Sequence, residues 1–198
     1  MTDKKLEYNL NIKYKNIFIT GNPGSGKTTL FNSIVNDIIE VLKPDYKVSG
    51  FITKEIRQKG SRVGFSIENF SGDRGILAHV NLKEGPTVGK YRVNLADLEN
   101  IGIKTILEAL DNPEVGVIAI DEIGKMEMLH PDYKNIISKV LNCRKIMLAT
   151  IAYRSISLLE SLKNRSDTYI LDLTPIPKES INRKRAKKLI IEMISSKK

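Results

Sequence analysis

Hydrophobic positions along this chain follow two rhythms. Asn-Ile-Phe-Ile-Thr at 16–20 is a short run with β-branched side chains that ends at a glycine, which predicts a buried parallel strand. Directly after it Leu30, Phe31, Ile34, Val35, Ile38, Ile39 and Leu42 recur at helical spacing until Pro44, so a helix with one apolar face follows. From about 48 to 95 the rhythm shortens. VSGFITKEIR, RVGFSIENF, GILAHV and YRVNL are strand-like pieces parted by turns such as QKGS and SGDRG. They predict an antiparallel, β-rich hairpin insert between the first helix and the remaining core.

Alternation then resumes. The pattern predicts a helix near 103–111, a strand at 115–120, a helix near 133–142, a strand at 145–150, a helix near 155–164, a strand at 168–173 and a last helix near 178–195. Strands and helices alternating at these lengths predict an α/β fold with a mainly parallel sheet covered by helices on both faces. At 198 residues the chain is within the range of one core, so residues 1–198 are read as a single domain.

Composition removes several classes of function. Hydrophobic residues make up 41% and charged residues 28%, which supports a packed core and argues against disorder. No apolar run approaches the roughly 20 residues of a membrane helix, and the first 16 residues lack a signal-like apolar stretch; a cytoplasmic protein is expected. The single cysteine, Cys143, cannot close an internal disulfide and has no zinc-site spacing around it, so it is read as a reduced core thiol. The net charge of +9 is compatible with nucleic acid, an acidic surface or phosphate ligands. Only NRKRAKK at 182–188 is dense. Ile181, Ala186, Leu189, Ile190, Met193 and Ile194 supply one face of the last helix, which leaves Arg183, Lys184, Arg185, Lys187 and Lys188 on a solvated face or a nucleic-acid contact. No stacking aromatic residues accompany that charge. Oligomeric state is left open, a monomer being one possibility.

Candidate chemistry begins at GNPGSGKT, residues 21–28, which fits G-x-x-x-x-G-K-[ST] at each fixed position. With glycine at about 7% of residues, the pattern arises by chance in roughly one chain of this length in 150, before the flanking strand and helix are counted. Successive amides here form an anion cradle and the following helix points its positive end at it. The predicted nucleotide-binding residues are Gly21, Asn22, Pro23, Gly24, Ser25, Gly26, Lys27, Thr28 and Thr29. Lys27 reaches the β and γ phosphates and the Thr28 hydroxyl is a ligand for Mg²⁺. The α/β pattern with this loop makes the fold a P-loop NTPase.

VIAIDEIGKME at 117–127 is a second signature: a buried strand ending in two carboxylates, beside the phosphate loop. Asp121 is the expected second holder of Mg²⁺. Glu122 is the expected catalytic group, able to orient and deprotonate a water. DEIG also fits the D-x-x-G of GTPases, but NRSD at 164–167 has Arg where a guanine reader needs Lys and precedes a strand instead of following one. It is read as a helix-ending turn.

Together the phosphate loop, SGFITKEIR followed by RVGFSIENF, VGKYRVNL and VIAIDEIGKMEM resemble the THEP1-type nucleoside-triphosphatase family, in order across about residues 16–150. The resemblance implies hydrolysis of ATP, GTP, CTP or UTP to diphosphate and phosphate, Mg²⁺ dependence and broad tolerance of the base. It extends the nucleotide site over the strand end, Val117, Ile118, Ala119, Ile120, Asp121, Glu122, Ile123 and Gly124, and Glu122 matches the family's catalytic glutamate. After the last strand relatives carry a Thr-x-Glu-Asn-Arg-like segment, whereas here LTPIPKESINR delays the Asn-Arg pair, so no role is carried onto Arg183.

The other candidates are weaker. Arg154 follows a strand closely enough to face the phosphates, and Arg57, Arg62, Arg74 and Arg92 sit in the insert, which could fold over the nucleotide as a lid. His79 is read as a strand residue, His130 as a helix-start residue, and Met126, Met128 and Leu129 as packing on the sheet edge. Two rival functions share the same loop: a nucleotide or polynucleotide kinase, with the insert as acceptor site, and a nucleotide-gated module that binds RNA or protein.

Overall fold

The computed structural model describes residues 14–42, 47–152 and 156–196. Nine strands form one sheet in the described residues: β1 (Asn16–Thr20), β2 (Lys47–Gln58), β3 (Ser61–Asn69), β4 (Arg74–His79), β5 (Thr87–Val88), β6 (Tyr91–Val93), β7 (Val115–Ile123), β8 (Ile146–Ile151) and β9 (Thr168–Asp172). Their spatial order is β5-β6-β4-β3-β2-β7-β8-β1-β9. The run from β2 to β9 is parallel, and the run from β2 to β5 is antiparallel. The β-rich insert after the first helix widens the same sheet. β2 joins the two halves. Lys47–Ile52 pair with β7, while Phe51–Gln58 pair with β3.

The helices are α1 (Lys27–Leu42), α2 (Leu95–Asp97), α3 (Lys104–Asp111), α4 (Tyr133–Asn142), α5 (Ile156–Lys163) and α6 (Ile181–Ser195), with a π-helical turn at Leu98–Ile103 leading into α3. Asn94 starts this segment by accepting from the amides of Ala96 and Asp97. Alternating strand residues divide the core into two layers. Phe18, Ile118, Ile120, Met147 and Ala149 pack with α3 and α4 on one face; Ile17, Ile19, Val117, Ala119 and Leu148 pack with α1 and α6 on the other. Side chains buried on both faces explain why β1, β7 and β8 read as unbroken apolar runs.

The turn at 164–167 is held by Arg165 donating to Asp167 at 2.9 and 3.0 Å, in keeping with a helix end. Met126 packs against the core, but Met128 and Leu129 do not: at 37% and 36% exposure they stand on the surface, because a 3-10 turn at Glu127–Leu129 rotates them outward. Among the described residues no helix is long and apolar enough to cross a membrane.

Candidate active site

β1 ends at Thr20, and the chain turns through glycines at φ 147°, 73° and 87° (Gly21, Gly24 and Gly26) before entering α1. The left-handed positions bend successive peptide units around one concavity, the geometry an anion cradle needs. Lys27 Nζ donates back to the Gly21 carbonyl at 3.1 Å, which parks the ammonium over the loop. Behind the loop lies a residue with no expected role. Arg183, at the start of α6, is only 8% exposed; its Nη2 donates to the Ser25 carbonyl at 2.7 Å and to Ile176 at 3.0 Å, and its Nε donates to Pro177 at 3.0 Å. A charged group bonded to three carbonyls fixes the loop's rear. Lys187, one turn on, pairs with Asp37 at 2.8 Å and donates to Ser33 at 2.6 Å. The solvated basic face expected for α6 is thus partly a fastening to α1, and Lys188 remains exposed.

β7 delivers the carboxylates. It is not adjacent to β1, since β8 lies between them, and β8 supplies Thr150, whose hydroxyl donates to Asp121 Oδ1. Asp121 is 2% exposed, and burial raises its pKa against the opposing hydrogen bonds of Thr150 and Thr28 and the charge of Lys27. Its Oδ2 has no partner among the described residues. An orphaned, buried carboxylate oxygen next to a threonine hydroxyl is a hard-oxygen site suited to Mg²⁺, which takes one or two protein oxygens and completes its shell with phosphates and water. Among the described residues no group of three or more Asp, Glu, His or Cys side chains is gathered as a metal cluster. Glu122 is half-buried, its pKa raised by burial and by Asp121 and held back by Lys27. The peptide bond between Asp121 and Glu122 is cis.

Gly21, Pro23, Gly24, Lys27 and Thr28 line one cleft of about 430 Å³ together with Asp121 and Glu122. Asn22 is exposed at the loop's edge. Gly26 and Thr29 open instead onto a neighbouring groove of about 250 Å³ between α1 and α6. Four residues of the predicted strand-end set are placed elsewhere. Val117, Ile118, Ala119 and Ile120 are 0% exposed within β7, where they carry the carboxylates without reaching the cleft; Ile123 is also buried, in register with Ile151 of β8. Of the four insert arginines, only Arg62 lines the cleft; Arg57 and Arg74 pair with Glu55 and Glu68 at exposed positions, and Arg92 donates to the Gly85 carbonyl. Arg154 lies outside the described residues.

Glu127, unforeseen in the sequence, completes the acidic wall. It is 3% exposed, accepts the Gly124 amide at 3.0 Å, and its pKa is pushed up to about 8, first by burial and then by Glu122 and Asp121. A Cβ on Gly124 would come within 2.8 Å of Glu122 Oε1 and 2.9 Å of Glu127 Oε2, so the missing side chain leaves room for both carboxyl groups. Tyr133, fully buried on α4, adds no positive charge nearby. Because Glu127 holds its proton more tightly folded than unfolded, its contribution to stability is complete below about pH 4.5 and fades as pH rises towards 8. Glu127→Gln keeps an acceptor for Gly124 and never ionises. Urea unfolding should show the variant more stable than wild type at pH 8, by an order of magnitude of 4 kcal/mol, with the difference shrinking towards pH 5. An unchanged pH slope would reject a buried neutral acid.

Comparisons with known proteins place the chain in a family. A family model described as NTPase matches residues 16–185. Nucleoside-triphosphatase THEP1 of Thermotoga maritima is 38% identical over 179 residues, covering 90% of this chain and 93% of its own length. The protein of the same name from Methanocaldococcus jannaschii is 39% identical over 159 residues, covering 79% and 88%. Among solved structures, THEP1 from Aquifex aeolicus superimposes with a TM-score of 0.72 at 29% identity, covering 90% of this chain and 98% of that one. A human cancer-related nucleoside triphosphatase gives 0.72 at 33%, covering 93% and 99%. With the phosphate loop and the paired carboxylates converging on one cleft, this chain belongs to the THEP1 nucleoside-triphosphatase family.

Proposed function

We propose that the protein hydrolyses nucleoside triphosphates to diphosphate and phosphate with Mg²⁺ and with broad tolerance of the base. The observation that carries this reading is the convergence of Lys27, Thr28, Asp121 and Glu122 on the cleft of about 430 Å³. The loop amides and Lys27, released from Gly21, hold the β and γ phosphates. Thr28 and Asp121 are the residues that would hold Mg²⁺, which when bound offsets phosphate charge. Glu122 positions the attacking water and takes its proton, since its half-buried carboxylate has Lys27 as the opposing charge.

Base tolerance is supported by the neighbouring groove. Thr29, Leu30 and Ser33 of α1 face Lys178, Arg183, Lys184 and Lys187, a lining dominated by long aliphatic stems and cationic donors that can contact any base. Phosphate release from purified protein with Mg²⁺ and each of ATP, GTP, CTP and UTP tests the proposal. Release from several of them, lost in Lys27→Ala, is the expected result; no release from any triphosphate would overturn it.

A further inference from the structure

Hydrolysis leaves much of the cleft unused. Two hollows flank the phosphate loop: the groove of about 250 Å³ opens from Gly26 and Thr29, and the cleft of about 430 Å³ from Gly24, Lys27 and Thr28. A triphosphate lying across the loop puts its two ends in different hollows. Asp121 and Glu122 line the cleft and not the groove, which assigns the γ-phosphate to the cleft and the nucleoside to the groove. Water attack then asks the cleft for a phosphoryl group and one water of about 30 Å³. What is left is of the order of a small-molecule site, about 300 Å³ upwards.

The far wall is also built like a ligand site. Phe65, Leu77, Val88 and Met126 give an apolar lining, and Arg62, Lys125 and Glu55, the last paired with Arg62, stand beside it. Arg62 is held in one orientation: its guanidinium lies 5.2 Å from the Phe65 ring centre and 5.8 Å from that of Tyr91, Nε donates to the Tyr91 hydroxyl at 3.0 Å, and Nη1 donates to Glu55 at 2.8 Å. Its Nη2 has no partner among the described residues and remains a donor for an anion. An apolar surface with a fixed guanidinium and a lysine suits a flat ring carrying a phosphate.

We propose that the far half of the cleft binds a nucleoside 5′-monophosphate, its phosphate at Arg62 and Lys125 and its ring on Phe65, Leu77, Val88 and Met126, and that the protein passes the γ-phosphoryl group to it as well as to water. This rests on the phosphate loop holding a triphosphate, as argued above. An oxygen of the monophosphate attacks the γ-phosphorus. The bond from that phosphorus to the β,γ-bridging oxygen breaks, and the bridging oxygen leaves with the electron pair on the donor's diphosphate. Two nucleoside diphosphates result. The attacking phosphate is already ionised at neutral pH, its second pKa being about 6, so this route needs no base, whereas the water route does.

The test supplies ATP labelled in its γ-phosphate, Mg²⁺ and, in turn, AMP, GMP, CMP and UMP, and follows the label into the added nucleotide's diphosphate and into free phosphate. The expected result is labelled diphosphate with at least one acceptor, transfer retained in Glu122→Gln while free phosphate is lost, and transfer at low monophosphate reduced tenfold or more in both Arg62→Ala and Lys125→Ala. Lys125 is exposed, so its variant guards against a folding failure at Arg62. Label in free phosphate alone with all four acceptors would overturn the proposal while leaving hydrolysis intact. So would transfer indifferent to both substitutions, or monophosphate binding abolished by a saturating non-hydrolysable triphosphate, which would place the monophosphate on the phosphate loop. Absence of any triphosphate binding would instead remove the hydrolase reading itself.

Discussion

Glu122→Gln should lower the turnover of triphosphate hydrolysis by about a hundred- to ten-thousand-fold, the range of a positioned general base, while nucleotide affinity stays within a few-fold of wild type. The amide has nearly the shape of the carboxylate and can orient a water, but it cannot take the proton. Glu122 stands at the end of β7, half-buried, its Oε1 in the space left open by the missing side chain of Gly124. Neither neighbouring acid replaces it. Asp121 is buried and tied to Thr150, and burial keeps Glu127 in its neutral form. Single-turnover phosphate release, alongside titration of a fluorescent triphosphate analogue, separates chemistry from binding. Hydrolysis within threefold of wild type at intact affinity would remove Glu122 from the mechanism.

Gly50→Ala should cost more than about 4 kcal/mol in stability, at the far end of what single substitutions do. Gly50 has φ of 141°, and a Cβ there would lie 1.8 Å from the Ala119 carbonyl oxygen and 2.8 Å from its carbon. Both atoms are backbone of the strand with which Gly50 is in register, so no rotamer change relieves the clash. Relief requires β2 and β7 to part. Such a movement begins two residues before Asp121, and a variant that still folds should also lose activity. Urea denaturation gives the stability directly; a loss under 1 kcal/mol would mean that the two strands are not packed as described.

The parts of this protein that could be read in advance are those encoded in contiguous residues. GNPGSGKT states its own conformation, because glycines supply the left-handed turns and the apolar spacing after it commits the chain to a helix. The strand VIAI followed by Asp121 and Glu122 was equally legible, as a buried run that stops at two carboxylates. Inclusion of Val117, Ile118, Ala119 and Ile120 in the nucleotide site went too far, since a strand covered on both faces presents only its end to a ligand. Arg183 looked like one more cation on a basic helix. Its role depends on a hydrogen bond to Ser25, 158 residues earlier, which helical periodicity does not register.

From its sequence, this chain was already an α/β protein with a phosphate loop, an Asp-Glu pair at a strand end and a β-rich stretch after the first helix, because propensity, periodicity and backbone conformation are local properties. Which strands became neighbours was settled only in three dimensions. β8 came to lie between the phosphate loop and the carboxylates and brought Thr150 to Asp121; β2 paired on both sides and drew Arg62 to the cleft. Those contacts arise from the closure of long chain segments and the exclusion of water between layers, and no window of neighbouring residues contains them.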